Sequence, residues 1–351
     1  MGSVSQLSRA RQRPLDWRAS HSCAAEREKS SFRKRLGFTL IVGALAGTCS
    51  TDPALAHGLA GKRFFPATIA TDDPFVADEL SLPTVSWSRT SATADEASTR
   101  ETSISGEISK RITPNFAVAV GGEYQRLSPS GEPSSSGFNN LELGFKYQFY
   151  KNDAAETILS AGLGWEVGGT GSKAVGSESF STLTPTFFFG KGFGDLPESV
   201  PYLKPFALTG TVGVAIPTRA STTTMTVDPD TGDIGTNVQQ NPNVLQLGFA
   251  LEYSLPYLQA FVKDVGLPAP FNRMIPLVEL SIQKPLDRGG GPTLATLYPG
   301  VIWAGRYVQG AAEAIVPLNS SSGRGVGALV QLHFYLDDIF PRSIGRPLFG
   351  I

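Results

Sequence analysis

The sequence predicts an all-β protein, a closed antiparallel transmembrane β-barrel of about 12 strands. Segments with an apolar residue at every second position recur along the chain, and polar connections of alternating length separate them. The strongest segments run for about ten to thirteen residues, whereas strands of soluble proteins usually have about five or six. A tilted strand needs roughly nine to eleven residues to cross a bilayer, so these segments have membrane-spanning length.

The first 56 residues have the pattern of an export signal with an unusually long lead. Arg33, Lys34 and Arg35 precede an uncharged apolar run over 36–47, and the sequence ALA at 54–56 provides a small-x-small cleavage pattern. The mature chain is then expected to begin at His57 and to reach the outer membrane of a Gram-negative cell. The apolar run is too short for a confident transmembrane helix.

Residues 57–79 precede the first predicted strand and leave two interpretations open. They form either a flexible periplasmic leader or a hatch that folds into the barrel mouth. Several apolar side chains favour the hatch because they gain from burial: Phe64, Phe65, Ile69 and Phe75. Asp72 and Asp73 would then make the most polar contacts of the hatch.

The barrel is predicted over residues 80–340. Its period of two is clearest in GVGALVQLHFYL (325–336), where Val326, Ala328, Val330 and Leu332 share one face. That apolar face is expected to contact lipid. The candidate strands lie near 83–90, 101–112, 116–125, 138–150, 158–167, 180–193, 202–216, 244–255, 275–284, 297–307, 309–318 and 325–336.

The connections support the same topology. Short ones follow 112, 150 and 307, and longer polar ones lie at 127–137, 168–178, 217–242, 285–294 and 319–324. Outer-membrane barrels have short periplasmic turns, long extracellular loops and an even number of strands. With twelve strands, both termini are expected in the periplasm.

Three features fit this scheme poorly. The connection 256–274 is long and partly apolar, and could be a small helix or an extended hairpin. A tail, 341–351, follows the last strand. Four prolines lie in or beside candidate strands and indicate bulges, strand ends or wrong boundaries: Pro185, Pro205, Pro276 and Pro299.

Composition excludes several classes of function. Residues 57–351 carry 21 basic and 27 acidic groups, so a general nucleic-acid binder is not expected. Both cysteines, Cys23 and Cys49, lie before residue 57, and no P-loop, dinucleotide fingerprint or G-x-S-x-G motif is present. We therefore expect no enzyme, no cofactor and no metal site, although His57 and His333 leave a weak metal alternative.

The opposite face of the strands carries the candidate site residues. Glutamate recurs there among small residues, and two interpretations remain open. The carboxylates set a negative field along a lumen that passes small solutes and disfavours anions, or they pair with cations and brace the interior. The lumen candidates are Glu107, Glu123, Glu142, Lys146, Glu166, Glu252, Glu279, Arg306, Glu313, Gln331 and His333, with Arg111 as a further cation.

The alternating strands, the leader and the ending VGALVQLHFYLDDIFP resemble a family of proteobacterial outer-membrane barrels. This is the phenol-degradation-pathway (MetA-pathway) transporter family, which is distantly like the fatty-acid channels. The resemblance implies passive transport of small solutes, with hydrophobic or aromatic ones among them. Its implied partners are outer-membrane lipid, the barrel-assembly machinery and a solute. The alternatives are a surface-interaction barrel with a closed lumen and a soluble secreted β-protein. The sequence does not give the oligomeric state.

Overall fold

The computed structural model describes residues 58–90, 98–227 and 234–350. The predicted export signal and His57 lie outside these residues. Twelve long strands form the barrel and follow the predicted segments closely. Their bounds are β1 Glu79–Thr90, β2 Thr99–Thr113, β3 Phe116–Pro129, β4 Leu141–Asn152, β5 Thr157–Val167, β6 Thr182–Gly192, β7 Phe206–Pro217, β8 Val244–Tyr253, β9 Met274–Pro285, β10 Leu294–Ala304, β11 Val308–Pro317 and β12 Gly327–Tyr335.

The sheet is closed. Each strand pairs antiparallel with its neighbours in the chain, and β12 pairs with β1 through contacts such as Val330 with Val85. The predicted closed antiparallel barrel of twelve strands is therefore confirmed. Closure leaves no barrel strand with an unpaired edge, as a sheet within lipid requires.

The two faces of the wall have opposite chemistry. In β12, Val330 and Leu332 point outward and are exposed, whereas Gln331 and His333 point inward and are buried. Exposed aromatic side chains on other strands include Trp87, Tyr147 and Trp165. A soluble protein would bury such a band, so the predicted outer-membrane localisation is confirmed and the soluble alternative is wrong. The protein is an outer-membrane barrel.

The connections differ in length as the sequence indicates. A tight turn over 305–307 joins β10 to β11, and residues 254–273 contain short helical turns at Leu255–Tyr257, Leu258–Val262 and Phe271–Arg273. On the other side, Ser221–Val227 and Ile234–Gln240 pair as a hairpin within the long connection 217–242. In the part of the chain that the structure describes, no helix is long and apolar enough to cross a bilayer.

The prolines lie where the ladder is weakest. Pro205 directly precedes β7, and the pairing of β10 with β11 is interrupted around Pro299. Pro83 was not singled out, yet the registers of β1 with both its neighbours shift around it. Proline has no N–H for the ladder, which explains these positions.

The tail folds back onto the barrel. After a short helical turn at Leu336–Ile339, the N–H groups of Leu348 and Phe349 donate to the carbonyls of Arg111 and Ile112 at 3.2 and 2.8 Å. The tail thus lies beside the C-terminal end of β2.

Candidate functional site in the barrel lumen

The interior of the barrel is partly filled by residues 58–78, which we call the plug. Ala60, Phe65, Ile69 and Phe75 are all at most 4% exposed. Two apolar clusters hold the plug against the wall, one around Ile69 and one around Phe65. Because buried apolar area stabilises the docked segment, the plug is a packed part of the fold.

An ion-pair triplet fixes the plug to β4. Lys146 Nζ donates to Asp72 Oδ1 at 2.9 Å and to the carbonyl and Oδ1 of Asp73 at 2.9 and 3.3 Å. All three side chains are at most 17% exposed. Burial raises the pKa of Asp73 to about 7, while burial of Asp72 is outweighed by the Lys146 charge and the pKa of Asp72 falls.

A carboxylate of the opposite wall binds the plug backbone. The N–H groups of Ile69 and Thr71 donate to the two oxygens of Glu279, which is fully buried. Nearby, Gln309 Nε2 donates to the carbonyl of Ala67 at 2.6 Å. Backbone groups that would be unpaired inside the barrel are satisfied in this way.

The N-terminal part of the plug is held by a buried arginine. Arg63 Nε lies 3.2 Å from Glu156 Oε2, and its guanidinium stacks 4.0 Å from the centre of the Tyr257 ring. Burial raises the pKa of Tyr257 to about 12, so its hydroxyl keeps its proton and donates to Glu156 Oε1 at 3.0 Å. The connection 254–273 therefore closes over the plug base.

The point where the plug enters β1 is bound by the tail. Asp78 accepts from Lys110 Nζ at 2.6 Å and from Arg111 Nε at 2.8 Å, and its carbonyl accepts from the N–H of Leu336 at 2.9 Å. Lys110 also donates to the carbonyl of Ile344. Both ends of the barrel domain meet at this junction.

Between the plug and β1–β4 lies a cavity of about 600 Å³, part of it continuous with solvent. Neutral polar residues line it, including Ser81, Thr84, Ser105 and Gln331. No Lys or Arg lines it among the residues that the structure describes. Its acidic lining consists of Asp72, Asp73, Glu79, Glu107, Glu123 and Glu142.

Two rows of directly paired residues run around this part of the wall. The Gln331 row consists of Gln331, Thr84, Ser105 and Glu123. The Glu142 row consists of His333, Ser81, Glu107, Gly121, Glu142 and Glu166. Adjacent strands lie about 4.8 Å apart, so each row places its polar side chains at regular spacing.

The ends of the Glu142 row have their own contacts. Asn140 Nδ2 donates to Glu166 Oε1 at 3.0 Å, and Ser81 Oγ lies 2.9 Å from His333 Nδ1. His333 Nε2 also lies 3.3 Å from Glu79 Oε2. His333 therefore belongs to the hydrogen-bonded network of the wall. The weak alternative of a metal site formed with His57 is not tested, because His57 lies outside the described residues.

The predicted lumen residues divide into three groups. The structure corrects the prediction that Arg306 faces the lumen. Arg306 is exposed at the tip of the 305–307 turn, because the chain reverses at Gly305 and the strand pattern ends there. The second group lies against the plug or in the wall opposite the cavity and consists of Lys146, Glu252, Glu279 and Glu313. The cavity and its two rows contain Glu107, Glu123, Glu142, Glu166, Gln331 and His333.

Sequence reasoning did not single out Arg63, Asp78, Glu156 or Gln309. Arg63 is a charged residue directly before two phenylalanines in a segment with apolar character, and this juxtaposition was the available signal for a buried cation. Glu156 lies in a turn with a positive φ of 45°, which the sequence does not reveal.

Comparison with known proteins gives a distant likeness of fold. No protein-family model matches the chain, and no curated protein matches its sequence. An outer membrane channel from Pseudomonas putida F1 has a TM-score of 0.49 at 11% identity, covering 74% of this chain and 95% of that one. The translocator domain of the autotransporter NalP from Neisseria meningitidis has 0.43 at 11%, covering 74% and 88%. The Ralstonia pickettii toluene transporter TbuX has 0.35 at 9%, covering 75% and 92%. Likeness at this level supports no inference about solute or mechanism.

Proposed function

We propose that the protein is a passive outer-membrane channel or transporter for small solutes, in which the plug controls passage. The observation that carries this proposal is the cavity of about 600 Å³ between the plug and the wall. It lies between the plug and the inner face of the wall and is partly open to solvent, where a solute crossing the barrel would have to pass. A barrel serving only as a surface platform has no need of a solvated polar cavity behind its wall.

The contacts that hold the plug are of a kind that allows it to act as a gate. The peptide chain joins the plug to β1 after residue 78, and apolar packing, the Lys146 triplet and the Glu279 hydrogen bonds hold the rest of it by non-covalent contacts. Such contacts break and re-form together, so the plug can have a docked and a released state. Solutes would pass when the plug is released.

A reversible covalent lock tests this function. A Cβ built on Gly248 would lie 2.6 Å from Thr71 Cγ2, so the side chains of Thr71→Cys and Gly248→Cys are adjacent and a small local shift allows a disulfide between them. The background carries Cys23→Ser and Cys49→Ser. Solute flux into liposomes is expected to stop on oxidation and to return on reduction.

Each single-cysteine variant is the matched control, and its solute flux is expected to be unchanged by oxidation. Flux that continues through the oxidised lock would show that the plug is not the gate. Absence of flux and of current in every form, for a folded barrel with heat-modifiable gel migration, would refute the channel.

The solute class is the finer part of the proposal. The resemblance to phenol-degradation-pathway transporters implies hydrophobic or aromatic solutes, for which toluene is a suitable probe. The cavity lining favours a different class, because its side chains are mainly carboxylates, hydroxyls and an amide.

A further inference from the structure

The cavity has a wall of hydrogen-bond acceptors. Six carboxylates line it; Asp72 and Asp73 are held by Lys146, and Glu79 Oε2 lies 3.3 Å from His333 Nε2. Within the Glu142 row, Glu142 stands directly opposite Glu166. Like charges placed directly opposite each other destabilise a strand pair, so the fold bears a cost here.

A second, independent feature points into the same cavity. Gln331 is 6% exposed, and its Nε2 donates to Thr84 Oγ1 at 3.0 Å. Its Oε1 atom is buried without a hydrogen-bond partner, although Gln331 lines the cavity. Buried polar atoms are normally satisfied, so this carbonyl oxygen lacks a donor that a ligand can supply.

The residues that line the cavity between these acceptors are small and partly apolar. Gly121 lies between Glu107 and Glu142 in the Glu142 row, so these two carboxylates are two strand spacings, about 10 Å, apart at the backbone. Gly106, Gly122 and Ala67 also line the cavity. A ligand with donors at both ends and methylene groups between them fits this arrangement.

We propose that the cavity is a binding site for small organic amines, whose ammonium groups bind Glu107 and Glu142 and donate to Gln331 Oε1. This inference names the solute class for the passage proposed above and rests on it. An ammonium group carries three donors, and charge-assisted hydrogen bonds to carboxylates are about twice as strong as neutral ones.

The test uses three probes of equal chain length and different charge: putrescine, butanediol and succinate. Binding to the full-length protein in detergent is measured by calorimetry, which needs no passage through the barrel. We expect putrescine to bind and the neutral and anionic probes not to bind. Equal binding of butanediol or succinate would overturn the proposal.

Two variants locate the site. Glu107→Gln with Glu142→Gln is expected to weaken putrescine binding by about tenfold or more, because two charge-assisted hydrogen bonds are lost. Loss of like-charge repulsion favours folding of this variant. Glu132→Gln is the matched control, since Glu132 is exposed in the loop after β3. Unchanged affinity in the double variant would refute the site.

Gln331→Leu tests the amide separately and is expected to lower the affinity without a change of charge. Mg²⁺ provides the last arm of the test. If it displaces putrescine at equal concentration, the cavity is a general cation field and the amine assignment fails. Absence of flux for putrescine in liposomes, with binding intact, would count against the proposed passage and leave the binding site standing.

Discussion

Two walls of the same barrel use the same residue in different ways. On the plug wall, Glu279 is fully buried and accepts two backbone N–H groups of the plug. On the cavity wall, Glu107 and Glu142 line solvated space. All three point inward by the same alternation of strand residues. The difference shows that the position of the plug, which the strand pattern does not give, decides which inward carboxylates bind the plug and which line the cavity.

The largest effect is expected when the cation that binds the plug to β4 is removed. Lys146→Met leaves Asp72 and Asp73 buried without their partner, and breaking a buried ion pair costs about 3–5 kcal/mol. We expect the plug to be released and conductance to rise. Lys151→Met, on the same strand but exposed, is the control and should leave conductance unchanged. Equal conductance in both variants would remove Lys146 from the gate.

A smaller effect is expected at the plug wall. Glu279→Leu leaves the N–H groups of Ile69 and Thr71 buried and unpaired, at a cost of about 2–3 kcal/mol. Hydrogen exchange at these two amides should accelerate by about 30- to 100-fold. Glu142→Leu changes the cavity wall in the same way and should leave both amides protected. Faster exchange in both variants would abolish the distinction between the walls.

The pH dependence of the gate is expected to follow Asp73. Its pKa is about 7 in the docked plug and 3.8 ordinarily, so the docked state binds the proton more tightly. Docking is therefore favoured at low pH and weakens as pH rises from about 4 to about 7, by at most about tenfold per pH unit. Lys146 opposes this shift, whereas Asp72 and Glu79 add to it.

The measurement is conductance across that pH range, which should increase with pH. Asp73→Asn carries no titratable group at this position and should flatten the profile. A profile that is the same in both proteins would assign the pH response to another group.

The smallest effect is expected from a single charge removed from the cavity wall. Glu166→Gln removes the like charge opposite Glu142 and should stabilise the barrel by about 0.5 kcal/mol. The temperature of the heat-modifiable gel shift should therefore rise slightly, while Glu132→Gln should not change it. A lower temperature for Glu166→Gln would mean that the hydrogen bond from Asn140 outweighs the repulsion.

The strands were predictable because a lipid-facing wall imposes a period of two over a membrane-spanning length. Alternation alone therefore placed Glu107, Glu142 and Glu279 on the inner face. It could not separate the two walls, because that depends on where residues 58–78 lie inside the ring. Local pattern also failed at Arg306, where a tight turn ended the strand.

The junction at Asp78 sets an order of events in building the protein. Its carbonyl accepts from the N–H groups of Leu336 and Asp337, which directly follow β12. These donors reach Asp78 only when the last strand has joined the first, so the residues that follow β12 fasten the start of the ring. Closure of the seam and fastening of the plug at its junction with β1 therefore go together, and a chain cut short before residue 336 would close its wall without these two hydrogen bonds.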